Sequence, residues 1–402
     1  MSAVDAENRV VSGMRTTGAL HLGNYHGALK NWLNLQYQYD CYFFAADWHA
    51  LTTHYDEPQA MPERTFTMLV DWLAAGLNPS AATIFVQSKV PEHAELQLLL
   101  ALITPLTWLE RVPTYKDQQQ NLTEKDLNTF GFLGYPLLQA ADILLYKAGF
   151  VPVGEDQLSH LELTREVARR FNHLFGRSTG FEAAAEEAIK KLGKKNAKLY
   201  RTLLKNYQEN GEQEALATAQ ALVRDQQNIS LGDKERLSGY LEGGGKIILQ
   251  EPQALLTPTA KINGLDGRKM SKSYGNTIAL REPPASVDQK IRTMPTDPAR
   301  VRRSDPGNPE KCPVWDFHTL YSDADTQQWV QSGCRSAGIG CLDCKKPLIE
   351  SIQAELAPII ERGKEYEANP SQVRGIIVDG AEAARDVAKA TMEEVRAVMG
   401  LD

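Results

Sequence analysis

Over the first 175 positions, apolar residues come in short runs separated by longer stretches of helical period. "NRVVSGM", "CYFFAAD" and "TIFVQS" are β-prone runs, and each leads into a longer helical pattern. Strand and helix taking turns predicts an α/β fold built on an open, doubly wound parallel sheet. In such sheets ligands bind beyond the carboxyl ends of the strands, so the loops after these runs are where chemistry is expected.

Beyond that region the pattern changes twice. Residues 177–245 are rich in Ala, Glu, Lys and Gln, as in "EAAAEEAIKKLGKKNAKLYRTLLKNY", and close on "EGGGK". They read as a helical insertion. Its Lys190, Lys191, Lys194, Lys195, Lys198, Arg201 and Lys205 suit either an RNA backbone or an ordinary solvated helix face. Residues 246–284 return to the first domain, and 285–402 are loop-rich and then helical, ending in "AEAARDVAKATMEEVRAVMGL". The expected division is 1–176 and 246–284 as one α/β domain, 177–245 as the insertion, and 285–402 as a helical C-terminal domain.

A chain of 402 residues exceeds what one core usually organises. Its 42% hydrophobic content is that of a globular protein, and no apolar run approaches the roughly 18 residues a membrane span needs. The start, "MSAVDAENRVV", has no basic and apolar leader, so a cytoplasmic location and no membrane association are expected. The formal charge of -7 means that any nucleic-acid surface must be a local basic patch.

The first strand runs into "TTGALHLGNYHGAL". Gly18 and Gly23 let a ligand approach the backbone, a new helix offers free N–H groups to a phosphate, and His21 and Asn24 add side-chain donors. Far downstream, "GRKMSKSYGNTI" sets Lys269 and Lys272 on a Gly- and Ser-rich segment that reads as mobile. If the two segments face one ligand, the lysines can neutralise charge as a pyrophosphate departs. In "YPLLQAADILLYKAG", Pro136 suits a helix start, and Tyr135, Gln139, Asp142 and Tyr146 form a narrow polar stripe on an apolar helix. Such a stripe faces either water or a ligand. Gly154, Asp156 and Gln157 follow in a loop that opens another helix.

The turn His21-Leu22-Gly23-Asn24 and the loop Lys269, Met270, Ser271, Lys272, Ser273 together resemble the ATP-binding motifs of class I aminoacyl-tRNA synthetases. Asn24 stands where the family usually has a second histidine. Asparagine donates a hydrogen bond but moves no proton at neutral pH, so the implied catalysis is electrostatic and positional. With "FFAADWHALT", which contains His49, the helix and loop segments resemble tryptophanyl-tRNA synthetases, over nearly the whole chain except the insertion. The resemblance implies a Rossmann-like catalytic domain with an α-helical anticodon-binding domain, acting with ATP and Mg2+ on L-tryptophan and tRNA(Trp), as a homodimer. It implies that Asp142 accepts the indole N–H, that Tyr135 and Gln157 hold the ammonium group, and that Asp156 meets the adenylate ribose. Gly18, His21, Gly23, Asn24, Gly154 and residues 269–273 fall to ATP, while Gln139 and His49 fall to the amino acid. Gln139 replaces the methionine of shorter bacterial members. Tyrosyl enzymes are the rival within the family; they tend to carry Ser where this chain has Glu155.

Four of the 5 cysteines, Cys312, Cys334, Cys341 and Cys344, are spaced Cys-x21-Cys-x6-Cys-x2-Cys. That pattern predicts a metal site of zinc or iron–sulfur type. Cys41, in an apolar strand, reads as core. Resemblance to a four-cysteine branch of the family implies a [4Fe-4S] cluster, with Zn2+ as the alternative, and sets Arg300, Arg302 and Arg303 against the tRNA backbone. Two rivals from other classes are a different nucleotidyltransferase and a non-catalytic iron–sulfur RNA-binding relative.

Overall fold

The three apolar runs form neighbouring strands because each is apolar on both sides and must be covered on both faces. The computed structural model describes residues 8–112, 128–154, 157–176, 180–241, 247–256 and 262–401. Its strands are β1 (Arg9–Arg15), β2 (Asp40–Ala46), β3 (Ala82–Val86), β4 (Phe150–Val153) and β5 (Gln253–Leu256). They make one sheet in the order β3-β2-β1-β4-β5, parallel throughout. The chain order reverses between β1 and β4, and at such a switch point the loops diverge and leave a crevice.

Alternate strand residues separate into two cores. Val10, Phe43, Ala45, Ile84 and Val86 pack with Met68, Leu69, Trp72 and Leu73 of the Met61–Ala75 helix. Val11, Tyr42, Phe44, Phe85, Val151 and Val153 pack on the other face with Leu137, Ala141 and Leu144 of the Phe130–Leu144 helix and Val167 and Phe171 of the Leu158–Phe175 helix. The C-terminal helices contribute to both. Leu348, Ile352 and Leu356 of the Cys341–Ala368 helix join the first core, and Ala384, Ala388 and Met392 of the Pro370–Met399 helix join the second. This last helix crosses the β3 edge so closely that a Cβ on Gly380 would stand 2.0 Å from the Ile84 carbonyl oxygen. The crossing covers an edge that would otherwise be open to another strand.

The basic segment is helical, as its composition predicts. Helices Phe181–Lys191, Gly193–Asn210, Gln213–Arg224 and Leu231–Leu241 close around a core of their own that includes Ile189, Tyr200, Leu204 and Leu237. Its charges are largely answered within the segment, by Lys190–Glu187, Lys191–Asp233 and Arg201–Glu186 ion pairs, while Lys194, Lys195 and Lys198 are exposed. No helix among the described residues is long and apolar enough to cross a membrane. Pro136 does not start its helix. Thr129 caps it, accepting from the Phe132 N–H at 3.2 Å, and Pro136 lies inside.

Candidate active site

A cavity of about 570 Å3 opens over the carboxyl ends of β1 and β4. Its lining joins Gly13, Arg15, Gly23 and Asn24 to His49, Tyr135, Gln139, Asp142, Gly154 and Gln157. The polar stripe of the Phe130–Leu144 helix therefore faces inward. Tyr135 packs its ring 5.6 Å from that of His160, and Gln157 occupies the N-cap position of the Leu158–Phe175 helix. Asp156 and Glu155 lie outside the described residues.

Asp142 is 1% exposed and sits at the bottom of this arrangement. Its Oδ1 accepts from Gln87 Nε2 at 2.7 Å and lies 2.6 Å from His93 Nδ1, while Oδ2 lies 2.8 Å from His49 Nε2. Burial pushes its carboxyl up, but His49 and then His93 outweigh burial and hold it below the ordinary carboxylate value.

The two motif segments meet beside the cavity. His21 and Asn24 cap each other: the Asn24 N–H donates to His21 Nδ1 at 3.3 Å and the His21 N–H donates to Asn24 Oδ1 at 3.1 Å. Burial, with Lys272 nearby, brings the His21 imidazole down to about 4, so at neutral pH it is uncharged. The turn holds Gly18 at φ +86°, a conformation that favours glycine. Lys272 reaches it, donating to the Thr17 carbonyl at 2.6 Å, and the Gly23 N–H donates to Met270 Sδ at 3.3 Å. Main-chain bonds from Leu22 to Ile278 and from Leu280 to Leu20 stitch the same two segments together. Lys269 is exposed at the other end of the loop, where it bridges to Asn263.

The loop is better built than its glycines suggest. Asn276, 3% exposed, accepts from the Ser271 N–H at 2.8 Å and donates to the Lys269 carbonyl at 3.1 Å and to Asp266 Oδ1 at 2.7 Å. Ser271 and Ser273 hydroxyls are 2.9 Å apart. Asn263 Nδ2 donates to Asp316 Oδ2 at 2.7 Å and so ties the base of the loop to the Pro313–Tyr321 helix.

Several residues at the site escaped the sequence reading. Arg15 ends β1, lines the cavity, donates to Thr53 Oγ1 and has no carboxylate partner among the described residues; its Nε is buried without a partner. Burial lowers its guanidinium, so a nearby anion would relieve a real cost. Gln87 and His93 follow β3. Asp71 accepts from the Leu20 N–H at 2.6 Å and from Arg281 Nε at 2.5 Å, linking the first motif to the segment after the second. The rule that ligands meet the carboxyl ends of strands could have found Arg15 and Gln87, which the sequence reading did not name. No local signal marked Asp71, which is buried in a helix.

The four cysteines converge from three helices. Cys312 caps the Pro313–Tyr321 helix, Cys334 lies in the Ala324–Arg335 helix, and Cys341 and Cys344 share the first turn of the Cys341–Ala368 helix. Together they line one cavity of about 30 Å3 with Asp297, Arg300, Val314 and Lys345. No group of three or more His, Cys, Asp or Glu among the described residues is arranged to hold a metal ion. Burial raises the thiols of Cys312 and Cys334, and brings Cys344 up to about 12. Cys41 is fully buried in β2, as expected of a core residue.

Arg300, expected on an RNA-facing surface, is instead 9% exposed. Its guanidinium donates to the Ile339 carbonyl at 2.6 Å, the Arg303 carbonyl at 3.1 Å and Cys334 Sγ at 3.8 Å, which leaves little of it to meet an RNA backbone. Arg302 and Arg303 are exposed.

Comparison with known proteins accords with this geometry. The family model described as tRNA synthetases class I (W and Y) matches residues 4–194 and 224–357, passing over the middle of the insertion. A tryptophan–tRNA ligase of Ralstonia nicotianae is 65% identical over 393 residues, with 98% of each chain covered. That of Thermotoga maritima is 44% identical, covering 98% of this chain and 99% of its own. The crystal structure of a tryptophanyl-tRNA synthetase from Campylobacter jejuni, in complex with ADP and tryptophan, superposes with a TM-score of 0.73 at 26% identity, covering 98% of this chain and 100% of that one.

Proposed function

Because the chain belongs to the class I tRNA synthetases of the tryptophan and tyrosine group, we propose a mechanism in which its own pocket activates L-tryptophan with ATP and passes it to tRNA(Trp). It is a tryptophan–tRNA ligase, and the observation that carries the mechanism is one cavity lined at once by Asp142, Tyr135 and Gln157 and by Gly23 and Asn24 of the first motif. The amino-acid end and the nucleotide end of the reaction thus share one space.

In the first step the tryptophan carboxylate attacks the α-phosphorus of ATP, giving tryptophanyl-adenylate and pyrophosphate. Two anions must approach each other, and Arg15, a half-buried cation with no carboxylate partner among the described residues, stands in the cavity where it lowers that repulsion. Asp142 accepts the indole N–H, Tyr135 and Gln157 hold the ammonium group, and Gln139 and His49 line the ring pocket. A buried acceptor left without its donor is costly, which rejects phenylalanine by about 10^4-fold. Gly18, Gly23 and Gly154 form the nucleotide side, and Asp156 is assigned to the adenylate ribose by family resemblance alone. The uncharged His21 and Asn24 donate hydrogen bonds there and move no proton. Lys269, Lys272 and the loop residues Met270, Ser271 and Ser273 close on the departing phosphates, and Mg2+ bound with the ATP would supply further charge neutralisation. Lys272 leaves the Thr17 carbonyl to do so.

In the second step the activated acyl group passes to the 3' terminal ribose of the tRNA. Arg302 and Arg303 face the RNA backbone from the 285–402 anticodon-binding domain. We read the protein as cytoplasmic, working where its tRNA substrate is used. We read the chain as a homodimer, for which exposed Leu98, Leu102 and Leu106, spaced four residues apart, offer surface that a second copy would cover.

We infer that the four thiols hold a [4Fe-4S] cluster, or Zn2+ as the alternative, because they line one small cavity and the donor set is all sulfur. Buried Lys345, 3% exposed, lines the same cavity, donates to the Arg292 and Met294 carbonyls and has no carboxylate partner among the described residues, so a cation stands beside the thiols and would favour the thiolates that bind metal. When bound, the cluster supplies a structural cross-link between three helices, since aminoacylation moves no electrons.

The test is amino-acid-dependent exchange of labelled pyrophosphate into ATP, with each of the twenty amino acids tried separately. Exchange with tryptophan alone is expected. Exchange with tyrosine alone would move the specificity to the tyrosyl rival, and no exchange with any amino acid, in folded protein, would support the non-catalytic one.

A further inference from the structure

Behind Asp142 lies a buried chain of side chains that the reaction as described does not use. His93 bridges Asp142 and Tyr146: its Nδ1 is 2.6 Å from Asp142 Oδ1 and its Nε2 is 2.7 Å from the Tyr146 hydroxyl. Both His93 and Tyr146 are fully buried, and the His93 ring is packed among Phe44, Phe85 and Tyr146 at centroid distances of 5.7, 6.1 and 5.4 Å. Such packing holds the ring in one orientation.

The direction of these hydrogen bonds follows from what Tyr146 can do. Burial raises its hydroxyl far above the ordinary phenol value, so it keeps its proton. That proton needs an acceptor, and among the described residues the hydroxyl's partner is His93 Nε2. Nε2 therefore accepts, the imidazole proton sits on Nδ1, and Nδ1 donates to Asp142. Gln87 donates to the same oxygen from the end of β3, at 2.7 Å. Among the described residues Oδ1 then has both lone pairs occupied and Oδ2 has one partner in His49, while a carboxylate offers about four acceptor positions. One position is left, on the oxygen next to His49.

We propose that His93 is a positioning residue for side-chain selection, which fixes the plane of Asp142 so that its one open lone pair meets an indole N–H and no other ring donor. The proposal rests on the reading of Asp142 as the acceptor for that N–H. A carboxylate free to turn would meet an indole N–H or a phenol hydroxyl alike. One clamped through Oδ1 by Gln87 and His93 offers its acceptor at a single place, so ring shape is read through hydrogen bonding. Tyr146 acts through His93, by setting which nitrogen carries the proton.

The experiment compares kcat/KM in pyrophosphate exchange for tryptophan and for β-(benzothiophen-3-yl)alanine, in which sulfur replaces the ring N–H at nearly the same size. The ratio of the two cancels any general loss from imperfect folding. Four proteins are measured: the parent, Asp142→Asn, His93→Leu and Tyr146→Phe. The last removes one hydroxyl and keeps the ring, so it folds even if His93→Leu does not. The ratio should fall by about tenfold in His93→Leu and in Tyr146→Phe, the size expected for a misaligned hydrogen bond to a charged group, and further in Asp142→Asn. A ratio that collapses in Asp142→Asn yet matches the parent in Tyr146→Phe and His93→Leu would overturn the role of His93 alone. A ratio unchanged in Asp142→Asn would overturn the reading of Asp142 and this proposal with it.

Discussion

Replacing Asn276 with alanine should disable the lysine loop without unfolding the protein. The Asn276 side chain is the hub of that loop, bonded to the Ser271 N–H at 2.8 Å and to the Lys269 carbonyl at 3.1 Å. Gly264 packs so closely against it that a Cβ there would fall 2.1 Å from Asn276 Nδ2. Each of the two main-chain bonds contributes about 1 kcal/mol net, so their loss shifts the balance between ordered and open loop by about 2 kcal/mol. That is about a 30-fold drop in the population of loop able to bring Lys269 and Lys272 to the phosphates. The third bond, to the half-buried side chain of Asp266, is left out of this figure. Neither of the large cores includes Asn276, so opening is local and the thermal midpoint should stay near the parent's. The assay is rapid-quench single-turnover formation of tryptophanyl-adenylate as a function of ATP, with tryptophan affinity measured separately by fluorescence. The apparent second-order constant for ATP should fall about 30-fold while tryptophan binds as before. A constant within twofold of the parent's, at equal thermal midpoint, would refute the idea that Asn276 orders the loop.

Lys272→Ala should slow adenylate formation by about 10^2 to 10^3, the usual cost of removing one group that stabilises transition-state charge, with little change in tryptophan affinity. An unchanged rate with weaker tryptophan binding would remove Lys272 from the chemistry. Burial and Lys272 hold His21 at about 4, below its value near 6.5 in the unfolded chain. The unfolded state therefore binds the extra proton first, and the stability that uncharged His21 supplies is complete above about pH 6.5 and lost as the pH falls towards 4. Urea midpoints of the parent should drop relative to His21→Gln across that window; a constant difference would count against it. Cys341→Ser should lose bound iron or zinc and lower the thermal stability of the C-terminal helices, and equal metal content by elemental analysis would sink that expectation.

Much of the architecture could be read before any coordinates, because it is written in short-range signals. The short, nearly continuous apolar runs that became the strands at 9–15, 40–46 and 82–86 read as strands covered on both faces, and the glycines at 18 and 23 mark a turn where backbone meets ligand. The two motifs were legible as a pair because each is contiguous. β4 and β5 were not, being four residues long each and too short for a period to show.

What the tertiary structure alone decided is which surfaces meet. Periodicity could not say whether the stripe of Tyr135, Gln139 and Asp142 faced water or a cavity, since a polar face on an apolar helix is the same pattern in both cases. Packing against β1 and β4 turns it inward. Arg300, indistinguishable in sequence from Arg302 and Arg303, is drawn beneath Cys334 by carbonyls at 303 and 339. The clamp on Asp142 brings Gln87 and His93 to a helix some 50 residues away in the chain. Sequence determines local geometry because backbone sterics and side-chain period act over a few residues; burial is a property of pairs of distant surfaces, and it sets charge, proton position and reactivity only once those surfaces have closed.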